Sequence, residues 1–307
     1  MSAPGIAEVA LIGLGRMGAP IGRSMLRAGL RVFAFDRDQG ARSAFAGAAA
    51  VAGSAEEAVR RAEAVVLLLP DGRAVREAVL GASGFVGAMP PGALLVDMGS
   101  SAPEETRALA GEVEKRGLAF VDAPVSGGVR KAEAGTLAVM AGGSQADVAR
   151  ARPIFDAVGE TVFHVGPVGA GHAAKALNNL LSAIGLLAAA EVMTAGCKAG
   201  IAPETLLAVL NSSSGRNNST ETKFAPFVLS RSFDAGFGLS LMVKDMRTAV
   251  DLAEGLGVPL PLGRCALDAF VEAEAALGEG ADHTEVIRLV EKRAGATLLP
   301  AARSSRG

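Results

Sequence analysis

The chain has 307 residues, 50% of them hydrophobic and 20% charged, with a formal net charge of -2, which is enough apolar material for one large or two ordinary domains. Trp and Tyr are both absent; this excludes a catalytic Tyr–Lys pair and, with no basic cluster, argues against nucleic acid as a partner. Three scattered His and two distant Cys exclude a Cys-rich zinc site and a disulfide framework, so no metal is expected.

In the first half, short apolar runs at 9–12, 32–35, 65–69, 94–96, 120–121 and 137–140 predict buried strands. Between them, residue spacing predicts helices at 21–28, 55–61, 74–79 and 104–116. Strands alternating with helices predict an α/β fold: an N-terminal Rossmann-type, doubly wound and mainly parallel sheet with right-handed crossovers.

After Pro167 the pattern changes. Residues 170–198 contain no Pro and predict one helix about 44 Å long, with Gly171, Gly185 and Gly196 as weak points. Asn178, Asn179 and Glu191 interrupt its apolar run, which reads as a buried helix and not as a lipid-facing span. Helical patterns at 203–210, 239–256, 261–277 and 283–292 make the C-terminal half all-α. The expected division is a Rossmann domain over 1–166, an all-α substrate and oligomerisation domain over 167–300, and a frayed tail over 301–307. So long an apolar helix predicts a homodimer or homotetramer. The first eight residues lack the basic region of a secretory signal, so a cytoplasmic location is expected and no membrane partner.

Gly13-Leu14-Gly15-Arg16-Met17-Gly18 places G-x-G-x-x-G directly after a predicted strand and before a helix. Alone the motif is weak in a chain with 39 Gly. Its context strengthens it, because Asp36 closes the next strand at the spacing of a ribose-binding acid. Gly13 permits the tight turn, Gly15 the approach of a pyrophosphate, and Gly18 close helix–strand packing. The helix N-terminus then offers free N–H groups to the phosphates. Asp36 would repel a 2′-phosphate and favours NAD, while Arg37 beside it keeps NADP open.

Oxidoreduction at a hydroxyl also needs an acid/base. His164 and His172 are candidates, although neither has an evident partner carboxylate in the sequence. Lys175, Asn179 and Ser182 share one face of the long helix at i, i+4 and i+7. Spacing leaves two readings open: a helix-packing hydrogen-bond network, or a catalytic Lys tuned by burial.

Four motifs in order bring in a resemblance: Gly13 to Gly18, Asp122-Ala-Pro-Val-Ser-Gly-Gly128, Gly171-His-Ala-Ala-Lys-Ala-Leu-Asn-Asn179, and Lys244-Asp245. From about Val9 to Gly263 the chain resembles the β-hydroxyacid dehydrogenase family, which includes 3-hydroxyisobutyrate dehydrogenases and tartronate semialdehyde reductases. The resemblance implies that Ser126, Gly127 and Gly128 grip a substrate carboxylate, that Lys175 is the catalytic acid/base, and that Asn179 helps to hold the substrate. It aligns Leu69, Pro70, Ser100 and Lys244 with cofactor-contacting positions. It also implies a Rossmann domain joined by a long helix to an all-α domain. The implied activity is reversible hydride transfer between NAD(P) and a small 3-hydroxy acid of 3-hydroxyisobutyrate or glycerate type. Gly99 departs from the family, where Ser is common.

Imine reductases of the same fold, and non-catalytic dinucleotide-binding relatives, usually lack the Lys, so Lys175 argues against both. The polar segment from Asn211 to Ser219 has two readings, a solvated loop or a reader of a second polar substrate group through Arg216.

Overall fold

The computed structural model describes residues 5–299; the tail expected over 301–307 lies outside them. Two compact units divide the chain inside one helix, the first ending at Lys175 and the second beginning at Ala176.

The first unit is built on β1 (Glu8–Ile12), β2 (Arg31–Phe35), β3 (Ala50–Val51), β4 (Ala64–Leu67), β5 (Leu94–Asp97), β6 (Ala119–Asp122), β7 (Val125–Ser126), β8 (Leu137–Gly142) and β9 (Gly159–Gly166). They form one sheet in the order β3-β2-β1-β4-β5-β6-β8-β7, with β9 also paired to β8. Strands β1 to β6 pair in parallel. Strand β8 runs antiparallel to β6 and β7 but parallel to β9.

Side chains alternate along each strand. Val9 and Leu11 enter one core while Ala10 and Ile12 enter the other. Helices cover both faces, which is why these strands read as unbroken apolar runs. Ser or Asp side chains cap the starts of the helices Gln39–Phe45, Ala55–Val59, Gly72–Leu80 and Gln145–Arg150.

Departures from the sequence expectation have local causes. Strands β3 and β7 are two residues long, and β9 is largely exposed, so none carries a buried apolar run. Strand β4 stops at Leu67, short of the predicted residue 69. Leu68 N still donates to Ile12 O at 2.9 Å, but Pro70 has no N–H with which to continue a ladder.

The long helix Ala170–Lys198 runs unbroken as expected, and Pro203–Asn211, Leu239–Gly255, Pro261–Leu277 and Val286–Ala294 follow it in the second unit. By length and composition alone the long helix is able to cross a membrane. Here, however, Ala183, Leu186, Ala190 and Met193 are buried in a core with Phe224, Met246 and Phe270. Leu177, Leu181 and Val192 stay exposed on it. A short helix, Asn218–Thr222, and a π-helical turn, Phe224–Leu229, were not expected. Pro226 supplies no donor inside that turn, and Lys223 O accepts from both Phe227 N and Val228 N.

The approach to helix Leu239–Gly255 is held by Asp282. One carboxylate oxygen accepts from Gly236 N and Phe237 N at 2.9 and 3.1 Å. The other accepts from Thr284 N and Oγ1 at 2.9 and 2.6 Å. Burial alone would raise this carboxyl's pKa, but hydrogen bonds from His283 and Thr284 outweigh it and hold the value at about 2. A depressed carboxylate pKa adds stability that is present above the ordinary value near 4 and lost as pH falls through the folded value. Asp282→Asn is therefore expected to cost about 2 kcal/mol at neutral pH. In urea denaturation the gap to the wild-type protein should narrow as pH is lowered from 5 towards 2. A gap independent of pH would show that the charge is not what stabilises.

Candidate active site

The strand order reverses between β1 and β4, and the loops after β1, β2, β4 and β5 all leave the carboxyl ends of parallel strands. Open α/β sheets place ligands at such a switch point. Gly13 has φ +101° and donates its N–H to Phe35 O at 2.9 Å. A Cβ on Gly13 would lie 2.4 Å from Leu68 O, and one on Gly18 would lie 1.9 Å from Gly13 O. A Cβ on exposed Gly15 would meet nothing within 4 Å. Two glycines are thus packed against backbone and the middle one faces open space, as a dinucleotide pyrophosphate requires. Helix Gly18–Arg27 starts without a side-chain cap, so its first N–H groups suit an anion. Arg16 is exposed and Met17 half-buried beside it.

Asp36 is fixed against this loop. Its carboxylate accepts from Leu14 N at 2.7 Å and from Asp38 N at 2.8 Å. Arg37 is exposed. The sequence reading missed Arg42, whose guanidinium donates to Asp36 O and Arg37 O at 2.5 and 3.1 Å and lies over Phe35. Its position, in the helix following Asp36, was the available signal.

Leu69 and Pro70 follow β4, and Ser100 follows β5. A Cβ on Gly99 would lie 2.8 Å from Leu69 O, so Gly at this position lets the two loops approach. Asp97 steadies its loop by accepting from Gly99 N and Ser101 Oγ, both at 2.9 Å.

Strand β7 ends at Ser126, and Gly127 and Gly128 follow with φ of +138° and +70°. Both glycines are exposed at the start of helix Gly128–Ala134. The beginning of the long helix is anchored by Asp122 at the end of β6. Its Oδ1 accepts from Gly169 N at 2.7 Å and its Oδ2 from His172 N at 2.8 Å. A Cβ on Gly171 would lie 2.3 Å from Met140 O, so only Gly lets the helix start press onto the sheet. Burial nevertheless pushes the Asp122 carboxyl pKa up, against the lowering by His172 and these N–H groups.

His172 is buried, and its Nδ1 lies 2.7 Å from Thr106 Oγ1. Asp97 and Asp122 approach its ring nitrogens at 3.7 and 3.9 Å. The sequence expectation of no partner carboxylate is corrected here, because both acids come from distant strand ends. Its Nε2 has no hydrogen-bond partner among the described residues. His164 contacts Gly143 O at 2.9 Å on the β9 side of the sheet.

On the long helix, Lys175 is half-buried and Asn179 buried. Asn179 Nδ2 donates to Asp245 Oδ2 at 2.6 Å, and Lys244 Nζ lies 3.4 Å from Asp245 Oδ1. Ser182 Oγ accepts from Lys223 Nζ at 3.1 Å. Lys223 was not singled out from sequence, because its partner lies far away along the chain. Arg216 is an exposed side chain whose Nε lies 3.6 Å from the Glu221 carboxylate. Asn217 beside it caps the following helix.

Residues 8–166 match the family model for the NAD binding domain of 6-phosphogluconate dehydrogenase. Residues 169–290 match the model for the NAD-binding region of NADP-dependent 3-hydroxyisobutyrate dehydrogenase. The chain is 35% identical to 2-(hydroxymethyl)glutarate dehydrogenase of Eubacterium barkeri, over 95% of this chain and 97% of that one. It is 37% identical to the NAD-dependent L-serine dehydrogenase of Pseudomonas aeruginosa, over 86% and 91% of the two chains. The structure of Mycobacterium tuberculosis 3-hydroxyisobutyrate dehydrogenase with L-serine matches at a TM-score of 0.86 and 33% identity, covering 93% of this chain and 99% of that chain. A Streptomyces aurantiacus imine reductase, at 22% identity and a TM-score of 0.61, shares the fold alone.

The glycine geometry separates two substitutions. Gly15→Val is expected to leave the melting temperature unchanged while weakening NAD(H) binding about tenfold or more. Gly18→Ala must displace the Gly13 carbonyl and should lower the melting temperature by about 5 °C. Calorimetry and cofactor titration of both variants check this; the opposite assignment of effects would refute it.

Proposed function

The chain belongs to the β-hydroxyacid dehydrogenase family and is an NAD(P)-dependent hydroxy acid dehydrogenase, and on that premise we propose that it interconverts a small 3-hydroxy acid and its aldehyde acid with Lys175 as acid/base. The observation that carries the assignment is the anchored helix start, where Asp122 fixes the turn immediately before Lys175. A side chain on a clamped helix holds its position against substrate, as acid/base transfer requires.

The roles follow from the groups each residue offers. Ser126, through its hydroxyl, and Gly127 and Gly128, through their backbone N–H groups, hold the carboxylate. Lys175 takes the hydroxyl proton on oxidation and returns it to the aldehyde oxygen on reduction. Asn179, oriented by Asp245, steadies the substrate. Gly13 to Gly18, Asp36, Arg37, Leu69, Pro70, Ser100 and Lys244 hold NAD(P), which when bound accepts or supplies the hydride. Asp36 at the position of a ribose-binding acid supports NAD, since a carboxylate there would repel a 2′-phosphate.

Residues 1–166 form the cofactor domain, which also supplies the carboxylate grip at Ser126 to Gly128, and 167–300 form the substrate and oligomerisation domain, which also supplies Lys244 to the cofactor, in a cytoplasmic homodimer or homotetramer. Exposed Leu177, Leu181 and Val192 fall along one stripe of the long helix and support self-association. Leu181→Glu should lower the mass measured by light scattering; an unchanged mass would remove this stripe from the interface.

Lys175→Met is expected to cut turnover by about 10³-fold with NADH affinity retained. With no Trp or Tyr in the chain, NADH binding can be followed optically with little protein background. The assay is oxidation of small 3-hydroxy acids with NAD and NADP in parallel. Near-normal turnover of the variant would remove Lys175 from the acid/base role.

A further inference from the structure

Two observations in the second unit are left unused by the chemistry at Lys175. Lys223 sits where the short helix Asn218–Thr222 meets the π-helical turn, and it points its ammonium at Ser182 Oγ, 3.1 Å away. One helical turn earlier, the hydroxyl of Ser219 is buried with no hydrogen-bond partner among the described residues. No carboxylate comes within 4 Å of Lys223 among those residues. The acid that acts on it electrostatically, Asp282, already accepts from Gly236, Phe237 and Thr284. A half-buried cation bonded to a neutral hydroxyl is costly without an anion to meet it.

Ser182 places this cation in relation to the chemistry. It lies on the same helix face as Lys175 and Asn179, seven residues on from Lys175 and so about 10 Å along the axis. A molecule whose hydroxyl lies at Lys175 would meet this pair with an acidic group further along the same helix face. Arg216, the cation the sequence favoured for such a role, is instead exposed beside Glu221.

Resting on the hydroxy acid reading above, we propose that Lys223 and Ser182 form a subsite for a second acidic group, so that the favoured substrates are 3-hydroxy acids bearing two anionic ends. Burial lowers the Lys223 pKa to about 8, with Asp282 opposing the shift. The side chain therefore remains mostly cationic at neutral pH.

The test compares 2-(hydroxymethyl)glutarate with 2-(hydroxymethyl)pentanoate, which has a methyl group in place of the distal carboxylate. The wild-type protein should favour the dicarboxylate by about 30-fold in kcat/KM, mostly through KM. Lys223→Gln should bring that ratio close to one, whereas Lys223→Arg should keep much of it. Ser182→Ala should reduce it severalfold, and serves if Lys223→Gln does not fold. Arg216→Ala should leave the ratio within about twofold. Oxidation of both compounds at equal efficiency by the wild-type protein would overturn the subsite and leave the dehydrogenase reading intact. A ratio that collapses in Arg216→Ala but survives in Lys223→Gln would overturn it in favour of Arg216. Oxidation of neither compound, nor of 3-hydroxyisobutyrate, would defeat the 3-hydroxy acid reading and the subsite together.

Discussion

The site depends first on one buried carboxylate. Asp122 ends β6 and uses both oxygens to hold N–H groups in the first turn of a 29-residue helix. A helix N-terminus presents unsatisfied donors and a positive dipole end, so an anion there is stabilised while it orients the axis. The raised pKa of Asp122 shows that desolvation still outweighs that help. Gly171 and Gly142 leave the space that the helix start needs against the sheet. Once the start is fixed, the turn that carries Lys175 is fixed with it.

Close backbone packing shapes much of the candidate site. A Cβ on Gly13, Gly18, Gly99 or Gly171 would collide with a carbonyl oxygen within 3 Å. These positions bring strand ends and helix starts closer together than any other residue permits. Gly15 and Gly128 instead have open space over their Cα atoms, where N–H groups can meet a phosphate or carboxylate. A chain without Tyr or Trp but rich in Gly is consistent with a site in which main-chain donors work beside lysine side chains.

Much of this was legible in the sequence because it is local. The six principal strands, the long helix and the Gly13–Asp36 relation are set by patterns within about twenty residues. Interactions between distant residues were not legible. Asp122 reads as one member of a motif until it is seen to hold Gly169 and His172. The two carboxylates around His172 come from the ends of β5 and β6, and β9 lacks the apolar run of a buried strand. The polar segment near Asn217 shows the same limit. Its amide and hydroxyl groups cap a helix, its arginine is exposed beside Glu221, and the cation that reaches the long helix lies one short helix further on.

The long helix also separates two requirements that would otherwise compete. The acid/base work proposed for Lys175 needs a rigid start, which Asp122, Gly171 and the sheet provide. Recognition of different substrate ends needs side chains that can change without loosening that start. In the proposed site Asn179 and Ser182 would meet this need, because their partners, Asp245 and Lys223, come from other helical segments of the second unit. A substitution at Lys223 alters charge two helical turns beyond Lys175 while the Asp122 contacts remain as they are. On the proposed reading, variation at Lys223 would let one acid/base arrangement serve hydroxy acids with different distal groups.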